Sequence, residues 1–242
     1  MSWQRLHQTW ESPALLGRTM DLLVFGHAGA RVLAFPTSRG SYHEWEDRRM
    51  PEVLGEQLLA GTLQLFCVAS ADETSWYDDA LTMHERAEWQ ARYDTFLTSE
   101  VLPRMAALND DPTLITVGAS FGGYHALCFA MRHPELVQRV LSMSGLPDIK
   151  RLTAGWSDDA VYFQNPADFM RHEHDEKRLA AFRAMDIILA VGQDDSLAPS
   201  NIEFSQTLWN CGIGNALRVW NGWAHDWPYW QQMLQLYIGG HD

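Results

Sequence analysis

The segment running from Thr113 to Leu127, with Gly118-Ala119-Ser120-Phe121-Gly122 at its centre, constrains this chain more than any other. A β-branched apolar run, Leu114 to Val117, meets a glycine, and the residues from Phe121 to Met131 read as a helix. A strand must therefore turn sharply into a helix with Ser120 at the apex. A residue at such an apex is held in a strained backbone conformation, and its hydroxyl stands clear of both flanking elements. Gly118 and Gly122 are required because a Cβ at either place would collide with the neighbouring strand or helix. The N–H of Phe121 then points into the space above the hydroxyl, at the positive end of the helix dipole. The competing reading makes Ser120 an ordinary N-cap with glycines that allow close packing. What lies downstream separates the two.

A serine hydroxyl becomes a good nucleophile only when an imidazole removes its proton, and the imidazole needs a carboxylate to fix its tautomer. Both partners are found past the serine, each after a predicted strand. Asp186 to Gly192 is a short apolar strand, followed by the polar loop Gln193-Asp194-Asp195-Ser196. Ala216 to Trp220 reads as the last strand and is followed by Asn221-Gly222-Trp223-Ala224-His225-Asp226-Trp227-Pro228. The chain order is serine, acid, histidine, and the candidates are Ser120, Asp195 and His225. Asp194 and Asp195 are adjacent and only one can face the imidazole; the Gly-x-x-Asp spacing from Gly192 selects Asp195. His7, His27, His43 and His84 precede the serine and have no place in this order. His125 and His133 fall in or just after the serine's own helix, where packing or solvation explains them. His172 and His174 form an H-x-H in the charged stretch Arg171 to Lys177, which reads as a solvated face, and His241 lies in the tail. No metal and no cofactor is expected.

The rest of the chain alternates strands and helices. Strands are expected near Gln4 to Gln8 and Arg18 to Phe25, the latter joined to Val32–Phe35 by a hairpin-like Gly26-His27-Ala28-Gly29. A helix follows around Met50 to Ala60, then a strand from Leu63 to Val68 and one long helix from His84 to Leu102. Helices at 199–210 and from Pro228 complete the alternation. Such interleaving implies a mostly parallel sheet whose chemistry lies at the carboxyl ends of its strands.

Here the sequence resembles a known family. Gly118 to Tyr124, Arg132-His133-Pro134-Glu135, Met143-Ser144-Gly145, Asn165 to Phe169, Ala224 to Trp230, and Ser75-Trp76-Tyr77 with the helix ending Ser99 to Pro103 are similar to the esterase branch of the α/β-hydrolases. That branch includes S-formylglutathione hydrolases, feruloyl esterases and mycolyltransferases, and the likeness runs from about Arg31 to Trp230. It implies an α/β-hydrolase fold, with helices on both faces of the sheet, and a serine mechanism on acyl esters. It does not identify the acyl group. By position in the family, the two oxyanion donors would be the N–H groups of Phe121 and Ser38, with Arg39 next; the loop Ser38-Arg39-Gly40-Ser41 lacks the His-Gly-Gly-Gly form of many lipases.

Composition fits one soluble domain over residues 1–242. A net charge of −13 disfavours nucleic acid and anionic membrane surfaces as partners. No apolar run approaches the length of a bilayer span, and the N-terminus lacks the apolar core of a signal peptide. Cys67, Cys128 and Cys211 are odd in number and show no metal-ligand spacing, which suits small buried side chains in a reducing compartment. A cytoplasmic enzyme with a small-molecule ester substrate is expected, of undetermined oligomeric state. Residues 146–184 interrupt the alternation and are read as a cap-like insertion over the site. Among eleven tryptophans, several fall on predicted loops near strand ends, including Trp223, as does Tyr77. Trp76, Trp156, Tyr162 and Trp227 are the candidates to line a substrate pocket, against the plainer alternative that they pack the cap onto the sheet. Three functions remain open: a carboxylesterase, an acyltransferase using the same acyl-enzyme, and a binding protein that keeps the fold without catalysis.

Overall fold

A computed structural model describes residues 3–240, so His241 lies outside the described residues. Eight strands form one sheet: β1 Arg5–Ser12, β2 Arg18–Phe25, β3 Ala30–Phe35, β4 Leu63–Val68, β5 Leu114–Ala119, β6 Arg139–Met143, β7 Asp186–Gly192 and β8 Ala216–Trp220. Their spatial order is β1-β2-β4-β3-β5-β6-β7-β8. β1 and β2 pair antiparallel, as do β2 and β4, and every other pairing is parallel.

Strand composition explains this arrangement. All six residues of β4 and all six of β5 are buried, as expected where helices cover both faces of a parallel sheet. Successive side chains alternate between two cores. Leu33 and Phe35 of β3 and Ile187 and Leu189 of β7 enter one, while Val32, Ala34, Ile188 and Ala190 enter the other. β1 is mostly exposed, polar and at an edge, which blunts it against further pairing.

Three expectations change. The helix expected around Met50 to Ala60 is two short ones, Met50–Val53 and Gly55–Ala60, separated at Leu54. The segment Gly26 to Gly29 is not a hairpin: β2 pairs with β1 and β4, and β3 lies beyond β4, in parallel with it. The four residues carry the chain across β4 rather than back along β2. The predicted helix from His84 to Leu102 is three pieces. Met83–Phe96 opens on a Thr82/Glu85 capping box, Leu97–Val101 widens into a π turn, and Leu102–Leu108 resumes the α-helix. Pro103 has no N–H to give the preceding turn, which accounts for the widening at that point.

The sheet also dictates where a site can form. From β3 the chain moves outward to β4, and from β5 it moves the opposite way to β6. Neighbours β3 and β5 are therefore the point at which the winding reverses, and a crevice opens beyond their carboxyl ends. Phe35 sits beside Gly118 in the register, so the loop starting at Pro36 and the turn at Ser120 leave the sheet side by side. No helix among the described residues is long and apolar enough to cross a membrane.

Candidate active site

Ser120 occupies the turn between β5 and the helix Phe121–Arg132 with φ 53° and ψ −120°, a left-handed conformation unusual for a residue with a side chain. The surroundings over-determine it. Its N–H donates to the Met143 carbonyl at the end of β6 (2.8 Å), and its own carbonyl accepts from the N–H of Gly123 (3.0 Å). A Cβ on Gly118 would lie 2.1 Å from the Gly122 carbonyl oxygen, and one on Gly122 would lie 2.5 Å from the carbonyl oxygens of Phe35 and Pro36. Both glycines are thus demanded by close backbone approach, the second by the end of β3 itself.

His225 follows β8 and faces the serine. Its Nε2 lies 3.1 Å from Ser120 Oγ, and its Nδ1 lies 2.7 Å from Asp195 Oδ2. A carboxylate can only accept, so Nδ1 carries the proton toward Asp195 and Nε2 is free to accept from the serine hydroxyl. The Asp195 side chain is 1% exposed, and its other oxygen accepts from the Leu197 N–H (3.0 Å). Asp194 is exposed, and its N–H is engaged with the Gly222 carbonyl. Of the adjacent pair, only Asp195 reaches the imidazole.

The histidine loop is anchored from beneath. Trp230 Nε1 donates to Ser144 Oγ (3.1 Å), which in turn donates to the Ala224 carbonyl (3.2 Å). The Trp223 ring stacks on the imidazole at 5.5 Å and Trp230 meets it edge-on at 5.3 Å. Ala224, with φ 43°, is the strained residue that turns His225 inward.

Three N–H groups of the loop after β3 are engaged within the protein. The Thr37 N–H donates to Glu44 Oε2 (2.7 Å), that of Arg39 to Asp72 Oδ2 (3.0 Å), and that of Gly40 to the Thr37 carbonyl (2.8 Å). The Ser38 N–H has no acceptor among the described residues, and neither does that of Phe121, the first residue of its helix. Arg39, the runner-up donor from sequence, is committed to Asp72. The Asp72 carboxylate also accepts from the buried His125 (Nε2 to Oδ1, 2.7 Å), a connection without local signal in the sequence because the residues are 53 apart.

A cleft of about 320 Å³ lies over Ser120, walled by Ser38, Tyr77, Leu146, Arg151, Leu152 and Trp223. Burial pushes the Tyr77 phenol up from its ordinary value, and the Asp72 charge adds to this against the Ser38 hydrogen bond and the positive charges of Arg39 and Arg151. The four aromatic residues expected from sequence lie elsewhere. Trp76 is 1% exposed and donates through Nε1 to the Tyr124 hydroxyl, as part of the core beneath the cleft. Trp156 is exposed outside the cleft. Trp227 packs against Trp230 under the Arg48 guanidinium. Tyr162 faces a separate cavity of about 590 Å³, where its hydroxyl meets His172 Nδ1 at 3.1 Å. That cavity is larger but brings no nucleophile to a base, so chemistry places the candidate site at the smaller one. Among the described residues, no group of three or more His, Cys, Asp or Glu is arranged to hold a metal ion.

Comparison with known proteins gives the family and the fold. The family described as "Putative esterase" matches residues 67–237. No curated protein sequence matches the chain. Among solved structures, a ferulic acid esterase superposes with a TM-score of 0.78 at 22% identity, over 97% of this chain and 96% of that one. An S-formylglutathione hydrolase from Staphylococcus aureus gives 0.71 at 14%, over 96% and 94%. MPT51 (FbpC1) of Mycobacterium tuberculosis gives 0.72 at 17%, over 99% and 97%. The shared architecture is the α/β-hydrolase fold.

Proposed function

The chain belongs to the esterase family matched over residues 67–237; on that premise we propose that it is a serine carboxylesterase working through Ser120, His225 and Asp195. The observation that carries this reading is the continuous hydrogen-bonded chain from Ser120 Oγ through the imidazole to the Asp195 carboxylate, at 3.1 and 2.7 Å.

In this mechanism Ser120 Oγ attacks the ester carbonyl as His225 Nε2 takes its proton, and Asp195 stabilises the resulting imidazolium. The carbonyl oxygen becomes an oxyanion, received by the N–H groups of Phe121 and Ser38. Collapse breaks the bond to the alcohol, which leaves with the proton from His225 and deposits the acyl group on Ser120. Water enters, gives a proton to His225 and attacks the acyl-enzyme. A second collapse releases the carboxylic acid and restores the serine. The preference for Ser38 over Arg39 rests on its unused N–H.

Residues 1–242 are read as one domain in which the insertion 146–184 contributes Leu146, Arg151 and Leu152 to the cleft. The proposed partner is a small-molecule ester rather than nucleic acid or membrane, in keeping with the net charge of −13. A cytoplasmic location is proposed from three free cysteines, of which Cys128 is buried with its thiol pushed up by desolvation to about 12.

The test is covalent labelling. A fluorophosphonate should attach to the peptide bearing Ser120, and Ser120→Ala should remain folded while losing on the order of 10⁴ in kcat. Labelling of another serine would overturn the assignment. An added alcohol that captures the acyl group faster than water does would move the reading to acyl transfer on the same residues.

A further inference from the structure

The mouth of the cleft carries positive charge that the protein itself leaves unpaired. Arg151, on the helical turn Lys150–Thr153, lines the cleft with Ser38, Tyr77 and Trp223. Its neighbour Lys150 is paired with Asp148 and Asp168, whereas Arg151 has no carboxylate within ion-pair distance among the described residues. Arg39 borders the same ring: its guanidinium carbon lies 4.9 Å from the Tyr77 centroid, and it too lacks a carboxylate partner. The Tyr77 hydroxyl is bonded to Ser38 Oγ (2.9 Å), so the ring that Arg39 covers is held to the loop beside Ser120, in the cleft that Arg151 also lines.

Among the described residues, the only carboxylate lining the cleft is Asp195, which is buried and committed to His225 and the Leu197 N–H. The charge a ligand meets there is therefore cationic, in a chain whose net charge is −13. A chain of that net charge repels anions in general, the unpaired arginines here offset this locally, and a guanidinium offers a planar fork matched to a carboxylate.

We propose that the substrate is an ester carrying a carboxylate, which Arg151 and Arg39 hold beside the Tyr77 ring while the ester carbonyl meets Ser120. Arg151 sets the specificity and Arg39 supports it. The inference rests on the esterase reading, and the experiment separates failure of one from failure of the other.

Two matched pairs of esters place the charge on either side of the scissile bond. The first pair is mono-4-nitrophenyl glutarate and its methyl ester; the second is the butyrate ester of 4-hydroxybenzoate and that of methyl 4-hydroxybenzoate. The wild-type enzyme should favour the anionic member of at least one pair. The ratio of kcat/KM between its members should fall about tenfold in Arg151→Gln, as for loss of one charge-assisted hydrogen bond, and should shrink as salt is raised. No preference in either pair, or an unchanged ratio in Arg151→Gln, overturns the proposal while leaving the esterase reading intact. Calorimetric binding of the same four esters to Ser120→Ala gives a readout that does not need turnover. Tighter binding of an anionic member, reversed when Arg151→Gln is added, supports the proposal, and equal binding within both pairs sinks it. Absence of hydrolysis of all four esters, together with no labelling of Ser120, would instead count against the esterase reading.

Discussion

Asp72 accepts a hydrogen bond from His125 at 2.7 Å with both side chains shut off from solvent, 0% and 1% exposed. The other Asp72 oxygen accepts from the Arg39 backbone N–H at 3.0 Å. His125 rides on the helix that begins at Phe121, and Arg39 belongs to the loop that presents Ser38. One buried carboxylate thus connects the two backbone segments whose N–H groups face the oxyanion in the proposed mechanism.

Asp72→Ala takes the acceptor from the Arg39 N–H and from the buried His125 imidazole, so the loop should shift. A displaced oxyanion donor costs on the order of 10² in rate, and kcat should fall accordingly with a smaller change in KM. Asp72→Asn keeps one acceptor oxygen for Arg39 and should recover part of the loss. Steady-state kinetics on both variants, with thermal melts to confirm folding, decide this. Wild-type kcat in a folded Asp72→Ala would show that the loop holds itself.

The adjacent aspartates should separate cleanly. Asp195→Asn removes the acceptor that fixes the His225 tautomer and should lower kcat by about 10⁴, whereas Asp194→Asn, exposed and distant from the imidazole, should alter it less than twofold. The reverse ranking would move the triad acid by one residue.

The tryptophans divide between stability and activity. Trp76→Ala empties a fully buried site and orphans a hydrogen bond to Tyr124, and it should cost about 3–5 kcal/mol in chemical denaturation. Trp223→Ala, which is 56% exposed and stacked on His225, should cost under about 1 kcal/mol yet change kcat/KM. Equal melting temperatures for the two variants would contradict this division.

Glu100 contributes a pH-dependent term. Burial pushes its carboxyl up, but hydrogen bonds from the Ala14 N–H, Trp10 Nε1 and Ser12 Oγ outweigh this and hold it below its ordinary value. A lowered folded pKa means the stabilisation is complete above the unfolded value of about 4.3 and is lost as pH falls through the folded one. Glu100→Gln should therefore cost about 2 kcal/mol at neutral pH. The gap from wild type should narrow in strong acid, as denaturant midpoints across that range will show.

What the sequence by itself determined is what short-range sterics dictate. The turn at Ser120 was legible because its two glycines, the apolar run before them and the helix after them all lie within about one strand and one helix. β7 and β8 carry the expected boundaries because apolar runs between polar loops mark buried strands. His225 was legible by its order and its place after the last strand.

Tertiary structure decided everything that depends on which way a side chain points or on what a distant segment brings. Trp76 and Tyr77 are neighbours, yet one enters the core and the other lines the cleft, because consecutive side chains leave the backbone in different directions. The same is true of Asp194 and Asp195. β2 appeared ready to fold back on β3, but β4 inserts between them, since a strand's partner is set by the burial of a whole sheet face and not by the turn that follows it. Asp72, Arg39, His125 and Arg151 carry no pattern along the chain; only the packing of the segments that follow β3, β4, β5 and β6 joins Asp72 to Arg39 and His125 and sets Arg151 in the cleft over Ser120.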